Sequence, residues 1–123
     1  MRAIELSRGP YKVSSIAERA ATAALRHDLA WVRERASEAV RMRGRLAAEL
    51  RMRGFATLPS DANFVLVPLP GAPRIAAAMQ AAGVGVRAFE ALPGVGDAMR
   101  VTAAPWPELQ RALDALEEAV RCA

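Results

Sequence analysis

The sequence predicts an α+β fold: a two-layer sandwich in which a small, mainly antiparallel sheet is packed with helices and preceded by one long helix. Three features predict it. Leu29–Met52 carries apolar residues three and four apart, the repeat of a helix face. Short β-favouring runs around Val65 and Val101 are cut off by prolines and glycines. A last segment places Leu109, Leu113, Leu116 and Val120 on one helical stripe. Helices and short strands in this order suit a two-layer α+β domain.

From the start, Ser7-Arg8-Gly9-Pro10-Tyr11 is irregular, because glycine and proline both break regular structure. Ser14 or Ser15 caps a first helix, and Glu18 lies three residues beyond Ser15, the spacing of a capping box. That helix runs to about Leu25, Arg26-His27-Asp28 forms a joint, and Asp28 caps the next helix. This long helix, about 28–53, has its seam at Leu29, Val32, Ala36, Ala39, Leu46 and Leu50, and would extend ~35 Å. Arg43 occupies a seam position, where it either snorkels outward or pairs with an acid. Gly54 stops the helix.

Beyond it, Phe55–Leu58 reads as a short edge strand and Pro59-Ser60-Asp61 as a turn. Asn63–Val67 is the clearest strand, and Pro68 and Pro70-Gly71 end it. Pro73 sits in the first turn of a short helix, Arg74–Ala82, closed by Gly83. Val84–Phe89 is the second strand, with Gly85, Arg87 and Phe89 on one face. A turn over Leu92–Asp97 leads to the third, Ala98–Ala103, where Met99, Val101 and Ala103 alternate with Ala98, Arg100 and Thr102. Pro105 and Pro107 introduce the final helix.

With 123 residues, 53% hydrophobic and 24% charged, and no linker, repeat or low-complexity run, residues 1–123 read as a single domain. Cys122 is the only cysteine, so no internal disulfide forms, and a cytoplasmic location is expected. The first residues lack the apolar core of a signal peptide, and no apolar run approaches the roughly 20 residues of a membrane span. No membrane partner is expected. The net charge of +4 comes almost wholly from arginine, Lys12 being the only lysine. Arg33, Arg35, Arg41, Arg43, Arg45, Arg51 and Arg53 scatter around the long helix at about 100° per residue. They read as a solvated surface, not as a nucleic-acid footprint, which gathers on one face.

Several chemistries are excluded. His27 and the distant Cys122 make neither a metal site nor a nucleophile pair. The glycines of Leu92–Asp97 lack the strand-to-helix setting of a phosphate loop, and Glu117-Glu118 point to different sides of a helix. Arg87 and Arg100 are different, since each interrupts an apolar strand. In a hairpin both guanidiniums face the same side and repel unless an anion or an acid lies between them. Two readings stand: they hold an anionic ligand, or they form a structural pair with Glu90 or Asp97.

Four stretches in order resemble one family. They are Arg8-Gly-Pro-Tyr-Lys-Val13, Pro59-Ser-Asp-Ala-Asn-Phe-Val-Leu-Val67, Gly83-Val-Gly-Val-Arg-Ala-Phe89 and Pro93-Gly-Val-Gly-Asp-Ala-Met-Arg-Val-Thr102. Together they look like the carboxy-terminal part of class I/II pyridoxal-phosphate aminotransferases, nearest the histidinol-phosphate aminotransferase branch. The resemblance covers nearly the whole chain. It implies the small domain of fold-type I pyridoxal-phosphate enzymes, with the long helix linking to a large cofactor-binding domain. It further implies a homodimeric full-length enzyme of amino-acid (histidine) biosynthesis that moves an amino group from a donor to a keto acceptor.

By the same resemblance, Arg100 binds the anionic group of the substrate, a phosphate or a carboxylate. Arg87 assists it, and Asn63 is structural. The family's Schiff-base lysine belongs to a segment upstream of Pro10-Tyr11, and Lys12 stands where the family usually has asparagine. Also missing are the aspartate paired with the pyridinium nitrogen and the elements that hold the cofactor phosphate. No catalytic or cofactor-binding residue is therefore assigned. The large domain is absent from this sequence, and the expectation is a truncated domain, inactive alone and holding no stable pyridoxal phosphate. The alternative is a non-catalytic module, derived from that domain, that binds a small anion or a protein. One departure touches the anion site: after Thr102 the usual Gly-Thr is replaced by Ala103-Ala104-Pro105.

Overall fold

The structure, a computed structural model, describes residues 13–122. Arg8–Lys12, the first of the four stretches apart from Val13, lies outside them. The chain divides into two compact units, one ending at Ala36 and the other spanning Ser37–Ala123. The boundary falls inside a helix.

The first unit contains α1, Ser15–His27, and the opening turns of α2, Leu29–Met52. Ser14, not Ser15, is the cap: its hydroxyl accepts the Ala17 N–H at 3.2 Å, which puts Glu18 one position past the capping-box place. Asp28 joins the helices, its N–H reaching the Ala24 carbonyl at 2.9 Å and its carbonyl accepting the Val32 N–H at 3.1 Å. No residue of α1 is buried.

In the second unit α2 contributes Met42, Leu46 and Leu50 to the core. The seam expected from Leu29 onward is thus buried only in its last turns, with Leu29 itself 39% exposed. Arg43, beside Met42, neither points away nor meets an acid. Its Nη1 donates to the Ala62 carbonyl at 2.8 Å, tying the helix to the loop before the sheet. The helix closes with the Gly54 N–H on the Arg51 carbonyl and the Phe55 N–H on the Leu50 carbonyl, at 3.0 and 2.9 Å. This paired closure requires the left-handed backbone that Gly54 adopts, φ 84°.

Three strands form the sheet: β1, Phe64–Pro68; β2, Arg87–Leu92; and β3, Gly96–Thr102. Their order is β1-β3-β2 and both pairings are antiparallel. Helices α3, Ala72–Ala81, and α4, Trp106–Arg121, complete the unit. Val65, Val67, Met99 and Val101 share one sheet face and join Leu46, Leu50, Ile75, Met79, Leu109, Leu113 and Leu116 in a continuous core. Each such side chain, fully buried, contributes about 1.5–3 kcal/mol.

Several boundaries differ from expectation. Phe55–Leu58 is not a strand; its only ladder-like bond is the Leu58 N–H to the Leu66 carbonyl at 2.9 Å, and Pro59 has no N–H to continue it. The second strand begins at Arg87 instead of Val84, because the Val84 N–H is already spent on the Met79 carbonyl that closes α3. It then runs on to Leu92, so the turn shrinks to Pro93–Val95. On α4 the stripe ends at buried Ala119, and Val120 is 36% exposed.

One carboxylate ties these parts together. Asp97, on β3, accepts the Gly71 N–H ahead of α3 at 3.1 Å and the Ala91 N–H at 3.0 Å, while its own carbonyl accepts the Leu69 N–H at 2.9 Å. Ala91 lies in the irregular stretch between Phe89 and Leu92 and has φ 46°, a conformation that costs a non-glycine residue energy. The carboxylate holds it there. Asp97→Ala is expected to lower stability by about 2 kcal/mol, because the part-buried Gly71 N–H and the exposed Ala91 N–H both lose a charged acceptor. Urea unfolding checks this; an unchanged midpoint would contradict the bracing role.

Candidate functional site

The register of the sheet builds the site. Arg100 on β3 stands directly opposite Arg87 on β2 and Leu66 on β1. Side chains opposite one another project from the same face, here the face away from Met99 and Val101. Aromatic rings flank both cations: the Arg100 guanidinium carbon lies 5.2 Å from the Phe64 ring centre, and that of Arg87 lies 5.2 Å from the Phe89 ring. Such contacts attract a guanidinium and restrict its rotation without neutralising its charge.

Neither arginine makes an ion pair among the described residues. The structural pairing with Glu90 or Asp97 does not occur, and the Asp97 carboxylate is occupied with backbone N–H groups. The Arg100 Nε is buried and has no hydrogen-bond partner. A buried donor without an acceptor costs about 1–3 kcal/mol, and a like charge directly across the ladder adds to the cost. An anion seated between the forks relieves both.

The two arginines line an open cleft of about 650 Å³ between the hairpin and the first turns of α4. Its backbone wall is Gly83–Val86, and α4 adds Glu108 and Arg111. Sequence reasoning missed these last two residues. They sit beside Leu109 and Ala112 on the flank of the leucine stripe, a flank with a role only once the folded chain sets it across the cleft from Gly83–Arg87. Thr102 also lines the cleft, and so does Ala104 from the departure after Thr102.

The remaining candidates lie elsewhere. Among the described residues no group of histidine, cysteine, aspartate and glutamate side chains could hold a metal, and no helix is long and apolar enough to cross a membrane. Cys122, at the end of α4 far from Glu108, donates to Glu118 at 3.4 Å. That hydrogen bond raises the Cys122 pKa, and the bonds from Cys122 and Arg121 lower that of Glu118. Several of the helix arginines are used structurally. Arg45 stacks 3.4 Å over Trp106, Arg51 bonds Thr57, and Arg53 bridges Asp114 and Glu117 at 3.1 and 3.2 Å.

The cofactor expected from the resemblance needs an amine for its aldehyde and an acid for its ring nitrogen. The described residues contain no lysine. Their cleft offers three guanidiniums and the Glu108 carboxylate but no amine, a set that fits the anionic end of a small molecule and not the aldehyde of pyridoxal phosphate, so no covalent step is derived from these residues.

Comparison with known proteins agrees with the geometry. The family model described as aminotransferase class I and II matches residues 1–116. Histidinol-phosphate aminotransferase 2 of Rhizobium meliloti is 36% identical over 110 residues, 88% of this chain and 31% of its own length. The histidinol-phosphate aminotransferase of Nocardia farcinica is 49% identical over 67 residues, 52% of this chain and 16% of its own. The crystal structure of histidinol-phosphate aminotransferase from Sinorhizobium meliloti in complex with pyridoxal-5'-phosphate superposes with a TM-score of 0.72 at 27% identity, covering 98% of this chain and 34% of that one. The chain thus spans about a third or less of the length of these relatives. With matching family, relatives and fold, the chain belongs to the class I and II aminotransferases, pyridoxal-phosphate-dependent enzymes, on their histidinol-phosphate aminotransferase side.

Proposed function

We propose that these residues form the small domain of a pyridoxal-phosphate-dependent aminotransferase of amino-acid biosynthesis, and that they supply its grip on the substrate's anionic group. Arg100 is the principal ligand and Arg87 its assistant. The observation that carries this reading is the cross-strand Arg87–Arg100 pair, ring-flanked and without an acid partner, at the rim of a cleft. The guanidinium forks match a phosphate or a carboxylate through charge-assisted hydrogen bonds, and the two-strand ladder fixes their separation. Fixing one end of the substrate orients the other end for reaction, which is where such a site contributes to rate.

In this reading the long helix links to a large cofactor-binding domain, the full-length enzyme is a cytoplasmic homodimer, and the cofactor supplies the amino-transfer chemistry. These 123 residues alone bind the anion and do not transaminate.

Titration calorimetry of the chain with inorganic phosphate is expected to show saturable binding. Arg100→Ala should weaken it about tenfold or more, the loss of a charged hydrogen-bonding fork. Equal binding by the variant would remove Arg100 from the site. Added pyridoxal phosphate should give no stoichiometric absorbance band that a substrate amine discharges; such a band would show that the chain is catalytically competent.

A further inference from the structure

We propose that Arg111 sets the charge preference of this same cleft, favouring a dianion such as a phosphate monoester over a monoanion of similar shape. The inference rests on the anion-site reading above and goes beyond it by naming the discriminating residue. Arg87 and Arg100 reach the cleft from the hairpin, whereas Arg111 reaches it from α4. Glu108 is the acid on the same lining. Three guanidiniums face one carboxylate, which leaves two positive charges in excess.

Arg111 is available for this role because it is not paired. Glu38 with Arg41 and Glu118 with Arg121 form ion pairs at a separation of three residues, with the acid first. Glu108 and Arg111 have the same spacing and the same order, yet make no ion pair. The acid on its other side, Asp114, is held by Arg53. Arg111 is exposed and forms no other polar contact among the described residues. It stands on the cleft lining with its charge unpaired, and its attraction for a ligand there scales with the ligand's charge. A carboxylate gains from it once and a phosphate dianion twice. Glu108 acts with the opposite sign.

The test compares methyl phosphate, a dianion at about pH 8, with methanesulfonate, a tetrahedral monoanion, by calorimetry at low salt. Wild-type chain should prefer methyl phosphate. Arg111→Gln should lower that preference about threefold, the size of one unit-charge interaction across a solvated cleft. Arg111→Lys should retain it, which a role in packing would not predict. Glu108→Gln should raise it by a similar factor. An unchanged preference in Arg111→Gln, with Arg100→Ala still weakening binding of both probes, would overturn this inference and leave the anion site standing. Failure of both probes to bind wild-type chain would overturn the anion site and this inference with it, and binding of methanesulfonate as tight as that of methyl phosphate would overturn this inference alone.

Discussion

The structure depends on the register of β3. As the central strand it is paired on both sides, so its period of two separates two tasks. Met99 and Val101 enter the core, and Arg100 faces the cleft. A slip of one residue would bury the guanidinium and expose the methionine and valine, undoing fold and site at once. Burial of Met99 and Val101 therefore also positions Arg100. The hydrophobic term that stabilises the sheet holds together two cations that would otherwise repel.

That register is secured at one end by Asp97. Its carboxylate and carbonyl reach Gly71, Ala91 and Leu69, joining the start of β3 to the segment ahead of α3 and to the strained end of β2. The brace keeps β2 opposite β3 through its irregular stretch, so that Arg87 still arrives across from Arg100. The Asp97 carboxylate is committed to the backbone and not to the arginines. With Asp97 committed to the scaffold, Glu108 is the acid left on the cleft lining among the described residues, and the three guanidiniums there outnumber it.

Much of this was legible in the residues. The limits of α2 follow from its periodicity and from Gly54, β1 follows from an apolar run bounded by prolines, and Arg100 stands out as a charge inside an apolar strand. What was not legible depends on contacts between elements. Val84 looks like strand until its N–H is seen closing α3. Ala119 and Val120 stand three and four residues past Leu116, so periodicity allows either, and packing selects the alanine. Arg43 sits in the apolar seam because a loop carbonyl waits there, which no spacing reveals. Arg111 belongs to the cleft only through the neighbouring hairpin.

The central claim is that Arg100 faces an anion and not a structural partner. Its Nε–H is buried and unpaired, which makes that proton the most direct reporter. We predict that titrating the full chain with inorganic phosphate moves the Arg100 Nε–H resonance downfield with saturation, as the proton acquires an acceptor, and that Arg87 tracks the same curve. Arginine side-chain resonances that stay in place, or that drift without saturation along with those of Arg33 and Arg35, would contradict the account.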